Sequence, residues 1–335
     1  VTAPLVVIDA DVLGRRRTGD ETYVEQLLRT LPRVAGDFRF AALTRRPDLV
    51  PGGVEAVEVP ARLQEARMVW SIPRVLRRLR PALVHFLHVL PPVLACPAVV
   101  KIPDVSWARD GEVMNARDRV IFRTLVPRAA RRAARIVTVS ERSKRDLVGL
   151  YALPPEKIVV TPLGVDPAFT PGENGHEPFL LYVGAIEPRK QPLVAADAAR
   201  AVGRPLVVAG PAKDASLAAE LRRRGADVRG YVPKDELVRL YRRAACVVLP
   251  SRHEGFGLPV VEAMACGTPV VGADDEAMRE VAGDAAVFGP DVVAGVRRAL
   301  AERDRLSAAG LERARAFTWE GTARRTADAY REALA

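Results

Sequence analysis

Residues 245–273 read ACVVLPSRHEGFGLPVVEAMACGTPVVGA. The short apolar run Cys246–Leu249 reads as a strand, and Pro250–Gly257 as a loop with two glycines. A helix is predicted from near Pro259, because a helix's first position has no use for an amide proton. Gly267 stops that helix, and Pro269–Gly272 reads as the next strand. The loop therefore leaves the carboxyl end of a parallel strand, where open α/β sheets bind ligands. Gly255 and Gly257 let the backbone come close to a ligand, and the N–H groups ahead of the helix attract anions. Glu254, just before the helix, and Glu262, in its first turn, can border one cavity, and a carboxylate accepts hydrogen bonds from paired sugar or ribose hydroxyls. Taken alone, either glutamate also fits a plain helix start, with acid favoured by the dipole.

Outward from this unit, short β-branched runs alternate with helical stretches along the whole chain. Strands are predicted at Leu5–Asp9, Phe38–Leu43, Leu83–Phe86, Ala98–Ile102, Ile136–Val139 and Ile158–Thr161. In the second half they are predicted at Phe179–Val183, Leu206–Ala209, Val228–Gly230, Cys246–Leu249 and Pro269–Gly272. Several are apolar on both faces, as buried parallel strands are. Glu21–Leu31, Arg128–Arg135, Arg142–Leu150, Leu193–Val202 and Lys234–Ala244 read as helices. Such alternation predicts an α/β chain of doubly wound sheets. The clearest break is 164–178, GVDPAFTPGENGHEP, rich in Pro, Gly and acids, and the domain boundary is expected there. No repeat of solenoid period is present.

A chain of 335 residues, 49% of them hydrophobic, is long enough for two domains, each with its own core. No apolar run approaches the ~18–20 residues that span a bilayer. The first residues show no basic-then-apolar leader, so the protein is expected to stay where it is made. Three cysteines, Cys96, Cys246 and Cys266, in no CxxC spacing, suit buried thiols in a reducing compartment. The net charge of +10 is unevenly spread: residues 1–165 carry 27 Lys/Arg against 17 Asp/Glu, and residues 166–335 carry 24 of each. A basic half beside a neutral half suggests that each binds something different. Nucleic acid, an anionic membrane and a phosphorylated substrate all fit that charge.

Glu254-GFGLPVV-Glu262, followed by EAMACGTPVV, resembles the E-x7-E signature of the retaining glycosyltransferase family 4. LYVGAIEPRK (181–190) resembles that family's strand, glycine loop and Arg-Lys pair, and GYVPKDELVRLYRRA (230–244) its nucleobase segment. VTVSERSKRDL (137–147) and VVTPLGVDPAF (159–169) resemble the passage between its two domains. FTWEGTARRTADAYREAL (317–334) resembles its terminal helix, and VIDADVLGRRRTGDETYVEQLL (7–28) the N-terminal strand and loop of one branch. The likeness covers nearly the whole chain. It implies the GT-B fold: two doubly wound Rossmann-like domains with a cleft between them and a C-terminal helix crossing back to the first. The implied domains are 1–165 on the acceptor side, 176–316 for the nucleotide-sugar, and 317–335 as the returning helix.

By that resemblance Arg189 and Lys190 neutralise the donor diphosphate, Glu254 holds the sugar hydroxyls and Glu262 the ribose hydroxyls. Gly184, in the loop before Arg189 and Lys190, and the amides of Phe256, Gly257 and Leu258 are likewise placed on the donor, the amides meeting sugar and phosphates. The backbone of Tyr231 and Val232 lines the base, and Gly19 approaches the donor from the first domain. Fixed cations suit this role, since departure of a nucleoside diphosphate builds up negative charge. The implied reaction moves a hexose such as mannose or glucose, with retention, to a glycan, lipid-linked or small-molecule acceptor. The leaving phosphate itself takes the acceptor proton, so no protein base is implied.

Two departures stand out. VKIPDVSW (100–107) has Pro103 where the family usually has His, with Asp104 retained. His85 and His88, in LVHFLHVLPP, are the candidates to replace it, so His85, His88 and Asp104 are placed on the acceptor side. TGDETY (18–23) puts Asp20 and Glu21 where many relatives carry small residues. Asp9-Ala10-Asp11 is a DxD and could hold a divalent ion through hard oxygen ligands. It ends a first-domain strand, however, and Arg189 and Lys190 already supply positive charge, so neither metal nor cofactor is expected. Arg128, Arg131, Arg132 and Arg135, and PRVLRRLR (73–80) after Met68, Val69, Trp70 and Ile72, read as basic helical faces beside apolar residues. That combination suits peripheral attachment to an anionic cytoplasmic leaflet. Two other function classes remain at this point: a nucleotide-sugar epimerase of the same fold, and a nucleic-acid-binding protein. Only 18 aromatics and no aromatic-basic interleaving argue against the latter.

Overall fold

A computed structural model describes residues 3–15, 18–60, 63–105, 108, 116–172, 175 and 177–335. The chain divides into two compact units. One holds the residues up to Val105, the segment ending at Gly164, and Trp319–Ala335; the other holds Val165–Thr318.

The first unit is built on a seven-stranded parallel sheet: β1 (Leu5–Asp9), β2 (Arg39–Thr44), β3 (Glu55–Glu58), β4 (Leu83–Leu87), β5 (Ala98–Lys101), β6 (Arg135–Thr138) and β7 (Ile158–Val160). Their spatial order is β3-β2-β1-β4-β5-β6-β7. The second unit has six: β8 (Leu180–Val183), β9 (Leu206–Ala209), β10 (Asp227–Gly230), β11 (Cys246–Leu249), β12 (Val270–Gly272) and β13 (Val287–Phe288), in the order β10-β9-β8-β11-β12-β13. In both sheets the chain winds outward one way, then returns to build the other side. The reversal falls between β1 and β4 in one unit and between β8 and β11 in the other, and these are the switch points where such sheets take ligands. β5, β9, β11 and β12 are buried along their whole length, as strands covered on both faces must be. In β5 that burial includes Lys101.

The terminal helix Trp319–Leu334 belongs to the first unit. It packs on the helix Thr18–Val34, with Glu320 paired to Arg33 at 3.3 Å; Ala323, Ala327 and Tyr330 are buried, and Thr322 Oγ1 donates to the Pro162 carbonyl at 2.6 Å. Phe317 and Thr318, expected on this helix, stay with the second unit.

Several expected boundaries move. The helix predicted from Glu21 begins at Thr18, so Gly19 lies in its exposed first turn rather than in a loop. The arginine helix spans Ala116–Arg132, and Arg135 opens β6 instead, so the four arginines do not share one helical face. The helix after the glycine loop starts at Leu258, which puts Pro259 at its second position and Glu262 in its second turn. The start of the expected linker is packed structure: the Val165 amide bonds the Phe317 carbonyl at 3.1 Å, and Phe169 is buried edge-on against Tyr241. Residues 173, 174 and 176 of that linker, 106–107 of VKIPDVSW, and 16–17 of the arginine run lie outside the described residues.

Candidate active site

The loops after β8 and β11 leave adjacent strands at the second unit's switch point, with Cys246 paired to Leu180 and Val247 to Leu181. After β8 the backbone turns at Gly184 with φ 154°. A Cβ on Gly184 would meet Lys190 Cδ at 3.3 Å, and one on Gly210 would lie 2.0 Å from the Gly184 carbonyl oxygen. Both positions must stay bare for the turn to close over the end of β9. Pro188–Lys190 then forms one 3-10 turn, ended by Gln191 in the left-handed region, and this turn presents Arg189 and Lys190.

These two cations meet the loop after β11 directly. Lys190 Nζ lies 2.7 Å from Glu254 Oε1. Arg189 bonds the His253 carbonyl through Nη1 and Glu187 Oε1 through Nη2 at 2.8 Å. Lys213 closes on the other oxygen of Glu187 at 2.9 Å. The Glu254 amide donates to Asp275 Oδ2 at 3.3 Å, while Asp275 Oδ1 caps the helix Glu276–Ala282 through the Met278 amide at 3.0 Å. Burial pushes the Glu254 carboxyl up. Lys190, Arg189 and a hydrogen bond from Ser251 outweigh it, leaving the group below its ordinary value and charged.

Glu262 sits in a different environment. Its Oε2 accepts the Tyr241 hydroxyl at 2.8 Å. Burial, and to a lesser degree the nearby Asp166, raise its pKa to about 7 against the pull of Tyr241 and Lys234. Asp166 is itself bonded to Lys234 at 2.6 Å. The two signature carboxyls are thus pushed apart, one held ionised by cations and the other near neutrality. Gly257, at φ 90°, precedes the helix Leu258–Ala265 and its carbonyl accepts the Val260 amide at 2.8 Å; Pro259 has no N–H to offer. Phe256 turns its ring into the core against Phe317, centroids 5.6 Å apart, so only its backbone faces the loop. Tyr231 is exposed and Val232 half-buried in the turn after β10.

In the first unit the two histidines separate. His85 is buried in β4, bonded through Nδ1 to Tyr330 Oη at 2.6 Å. Burial, with Lys101 nearby, lowers its pKa to about 3, so it is a neutral core residue and its expected acceptor-side placement is corrected. His88, just past the strand, adopts φ 58° and bonds Asp20 Oδ2 through Nε2 at 3.0 Å. Lys101 Nζ reaches the other oxygen of Asp20 at 3.2 Å, and Asp104 is among the charges acting on it. The DxD carboxylates are taken by arginines. Arg67, fully buried, bonds Asp9 at 2.6 Å, and Asp11 is gripped by Arg15 and by Arg45 Nε and Nη2 at 2.7 Å each. Among the described residues no cluster of three or more His, Cys, Asp or Glu could hold a metal ion.

Sequence reading missed Glu187, Tyr241, Asp275 and Lys101. Lys101 alone left a trace, as one cation inside the apolar run Ala98–Ile102.

Residues 168–307 match the family profile "Glycosyl transferases group 1", and residues 17–169 match "Glycosyltransferase Family 4". O-antigen chain mannosyltransferase B of Escherichia coli is 28% identical over 326 residues, covering 88% of this chain and 83% of that protein. D-inositol 3-phosphate glycosyltransferase of Actinosynnema mirum is 32% identical over 308 residues, covering 80% and 69%. Among solved structures, Anabaena HepE in complex with UDP-glucose superposes with a TM-score of 0.74 at 14% identity, covering 98% of this chain and 99% of that one. The two family matches, on a chain of two doubly wound parallel-sheet units, make this a glycosyltransferase of the GT-B class. The chain belongs to glycosyltransferase family 4. That membership sets aside the epimerase and nucleic-acid-binding alternatives.

Proposed function

We propose that Val165–Thr318 holds a nucleoside-diphosphate sugar and that the enzyme transfers its hexosyl group, with retention, to an acceptor hydroxyl. The Lys190–Glu254 pair at the switch point, with Arg189 beside it, carries this reading. As the diphosphate departs, negative charge grows on its oxygens, and Arg189 and Lys190 stabilise it without moving far. Glu254 offers its carboxylate to the sugar hydroxyls and Glu262 to the ribose hydroxyls. The amides of Phe256, Gly257 and Leu258 serve the sugar and phosphates, and the backbone of Tyr231 and Val232 serves the base. The bond from sugar to phosphate oxygen breaks as the acceptor oxygen bonds the same face, and the acceptor proton passes to the departing phosphate. No protein base takes part. Transfer proceeds without a metal, because arginines already occupy Asp9 and Asp11. The names of the relatives, a mannosyltransferase and an inositol-phosphate glycosyltransferase, and the UDP-glucose complex of HepE support a nucleotide-hexose donor. Thermal-shift screening with UDP, GDP and ADP tests the donor site, since a ligand stabilises by RT ln(1 + [L]/Kd). One of the three should raise the midpoint; no shift with any at millimolar concentration contradicts the reading.

The acceptor is taken to be lipid-linked or membrane-adjacent. No helix of the described residues is long and apolar enough to cross a membrane. Leu63, Val69 and Trp70 are exposed, Trp70 at 76%, and Arg74, Arg77, Arg78 and Arg80 are exposed beside them. An indole on a basic helical face favours shallow insertion into an anionic leaflet.

A further inference from the structure

Asp20 and His88 are each read as oddities in the sequence, and in the structure they are bonded to each other. His88 follows β4 in the left-handed region, a conformation that costs energy for a side chain with a Cβ and persists where its surroundings fix it. Three contacts fix it. Its amide donates to the Lys101 carbonyl at 2.8 Å, its ring packs on Phe122 with centroids 5.6 Å apart, and its Nε2 meets Asp20 at 3.0 Å. Asp20 is anchored by Lys101, whose ammonium also lies 3.8 Å from the centroid of the Tyr23 ring. The assembly is not sealed: the side chains of His88 and Asp20 keep 23% and 31% of their surface exposed. With the Asp20 carboxylate accepting from Nε2–H, the neutral imidazole carries its lone pair on Nδ1, and that atom has no hydrogen-bond partner among the described residues. A carboxylate that fixes the tautomer and orientation of an open imidazole makes a directed acceptor.

We propose that His88 Nδ1, oriented by Asp20 and Lys101, accepts a hydrogen bond from a neutral hydroxyl of the acceptor. Asp20 and Lys101 are positioning residues, and only His88 touches the substrate. Asp20 and Lys101 balance one another, so the pair behind His88 offers no net positive charge to a phosphate and suits a polyol or sugar hydroxyl. The proposal rests on the transferase reading above, but its residues lie wholly in the first unit.

The test is steady-state transfer to octyl α-mannoside, octyl β-glucoside and myo-inositol, with UDP or GDP thermal shift as the separate check on the donor site. His88→Asn, which keeps a polar side chain, should raise the acceptor KM at least tenfold with a smaller change in kcat and an undiminished nucleotide shift. Asp20→Asn should raise KM in the same direction. Loss of the nucleotide shift in the wild type would strike the transferase reading itself, not this one. Should none of the three compounds support transfer, labelling with diethyl pyrocarbonate decides. Peptide mapping distinguishes His88 from the other three histidines, and with UDP or GDP present at least one of the three compounds should slow its acylation. An acceptor KM unchanged in His88→Asn overturns the proposal. So does acylation of His88 at one rate with and without every compound.

Discussion

Lys190 and Glu254, 64 positions apart in sequence, lie 2.7 Å apart because β8 and β11 are neighbours at the point where the second sheet reverses its winding. The pair joins two loops that the chain makes far from one another, and its two charges balance. In the donor site proposed above, a diphosphate would compete with Glu254 for Lys190 and sugar hydroxyls with Lys190 for Glu254, so both halves of one ion pair would meet the donor.

Gly210→Ala should disrupt this site from a distance. The added methyl would sit 2.0 Å from the Gly184 carbonyl oxygen, which is backbone and cannot swing aside, and Gly210 itself has φ 145°. Destabilisation on the scale of an overpacked core, about 1–3 kcal/mol or more, is expected by urea denaturation. Nucleotide binding should weaken in parallel. A variant as stable as the wild type would mean that the turn after β8 tolerates a side chain.

Glu262 makes stability depend on pH. Its carboxyl is raised in the folded state, so its contribution is complete below its ordinary pKa and is lost as pH climbs through about 7. Glu262→Gln stays neutral throughout. Without ligand its melting midpoint should therefore gain on the wild type between pH 5 and pH 8. Nucleotide affinity should fall by about 1–3 kcal/mol, the cost of removing one partner from a hydroxyl pair. Parallel melting curves across that range would contradict the buried-carboxyl account.

Much of this was legible before any coordinates. Apolar β-branched runs such as Leu206–Ala209 and Cys246–Leu249 became strands with unchanged ends, because strands buried on both faces leave no ambiguity of period. β3 was not legible: in Glu55–Glu58 only Val57 turns inward, and the rest is a polar edge. β13, two residues long, carries too little pattern to read. Gly19 and Pro32 disguised the two ends of the helix Thr18–Val34. Glu254 and Glu262, and Arg189 and Lys190, stood out because each pair lies within one short stretch of sequence. Tyr241 and Asp275 did not, since a hydroxyl on Glu262 and a carboxylate under Glu254 are products of tertiary packing. Nor could sequence rank His85 against His88, whose difference is that one lies within a buried strand and the other just past its end.

The Asp9–Arg67 pair is structural. Arg67 is wholly buried and holds Asp9, whose carboxyl burial pushes up against the pull of the guanidinium. Arg67→Leu strands that carboxylate and should cost about 3–5 kcal/mol. Transfer by the wild type should be unaffected by EDTA. Abolition by EDTA with rescue by Mn²⁺ would return Asp9 and Asp11 to a metal role.

Vesicle co-sedimentation examines the basic face. Binding should rise with anionic lipid and fall with salt, because each arginine near such a surface adds about 1 kcal/mol, screened within a Debye length. Trp70→Ser and a combined Arg74→Gln, Arg77→Gln, Arg78→Gln variant should each reduce it. Equal and negligible sedimentation with neutral and anionic vesicles at low salt would leave a freely diffusing acceptor as the better account.

The donor assignment stands or falls on one comparison: the single-turnover rate of sugar transfer in wild type, Lys190→Met and Glu254→Gln, with the donor nucleotide identified by thermal shift. Lys190→Met should slow transfer by roughly 10²–10³-fold, on the scale of deleting one preorganised donor to a developing anion. Glu254→Gln should lower the rate with the fold and melting midpoint intact. Wild-type rates in both variants would contradict the assignment of this site to the donor.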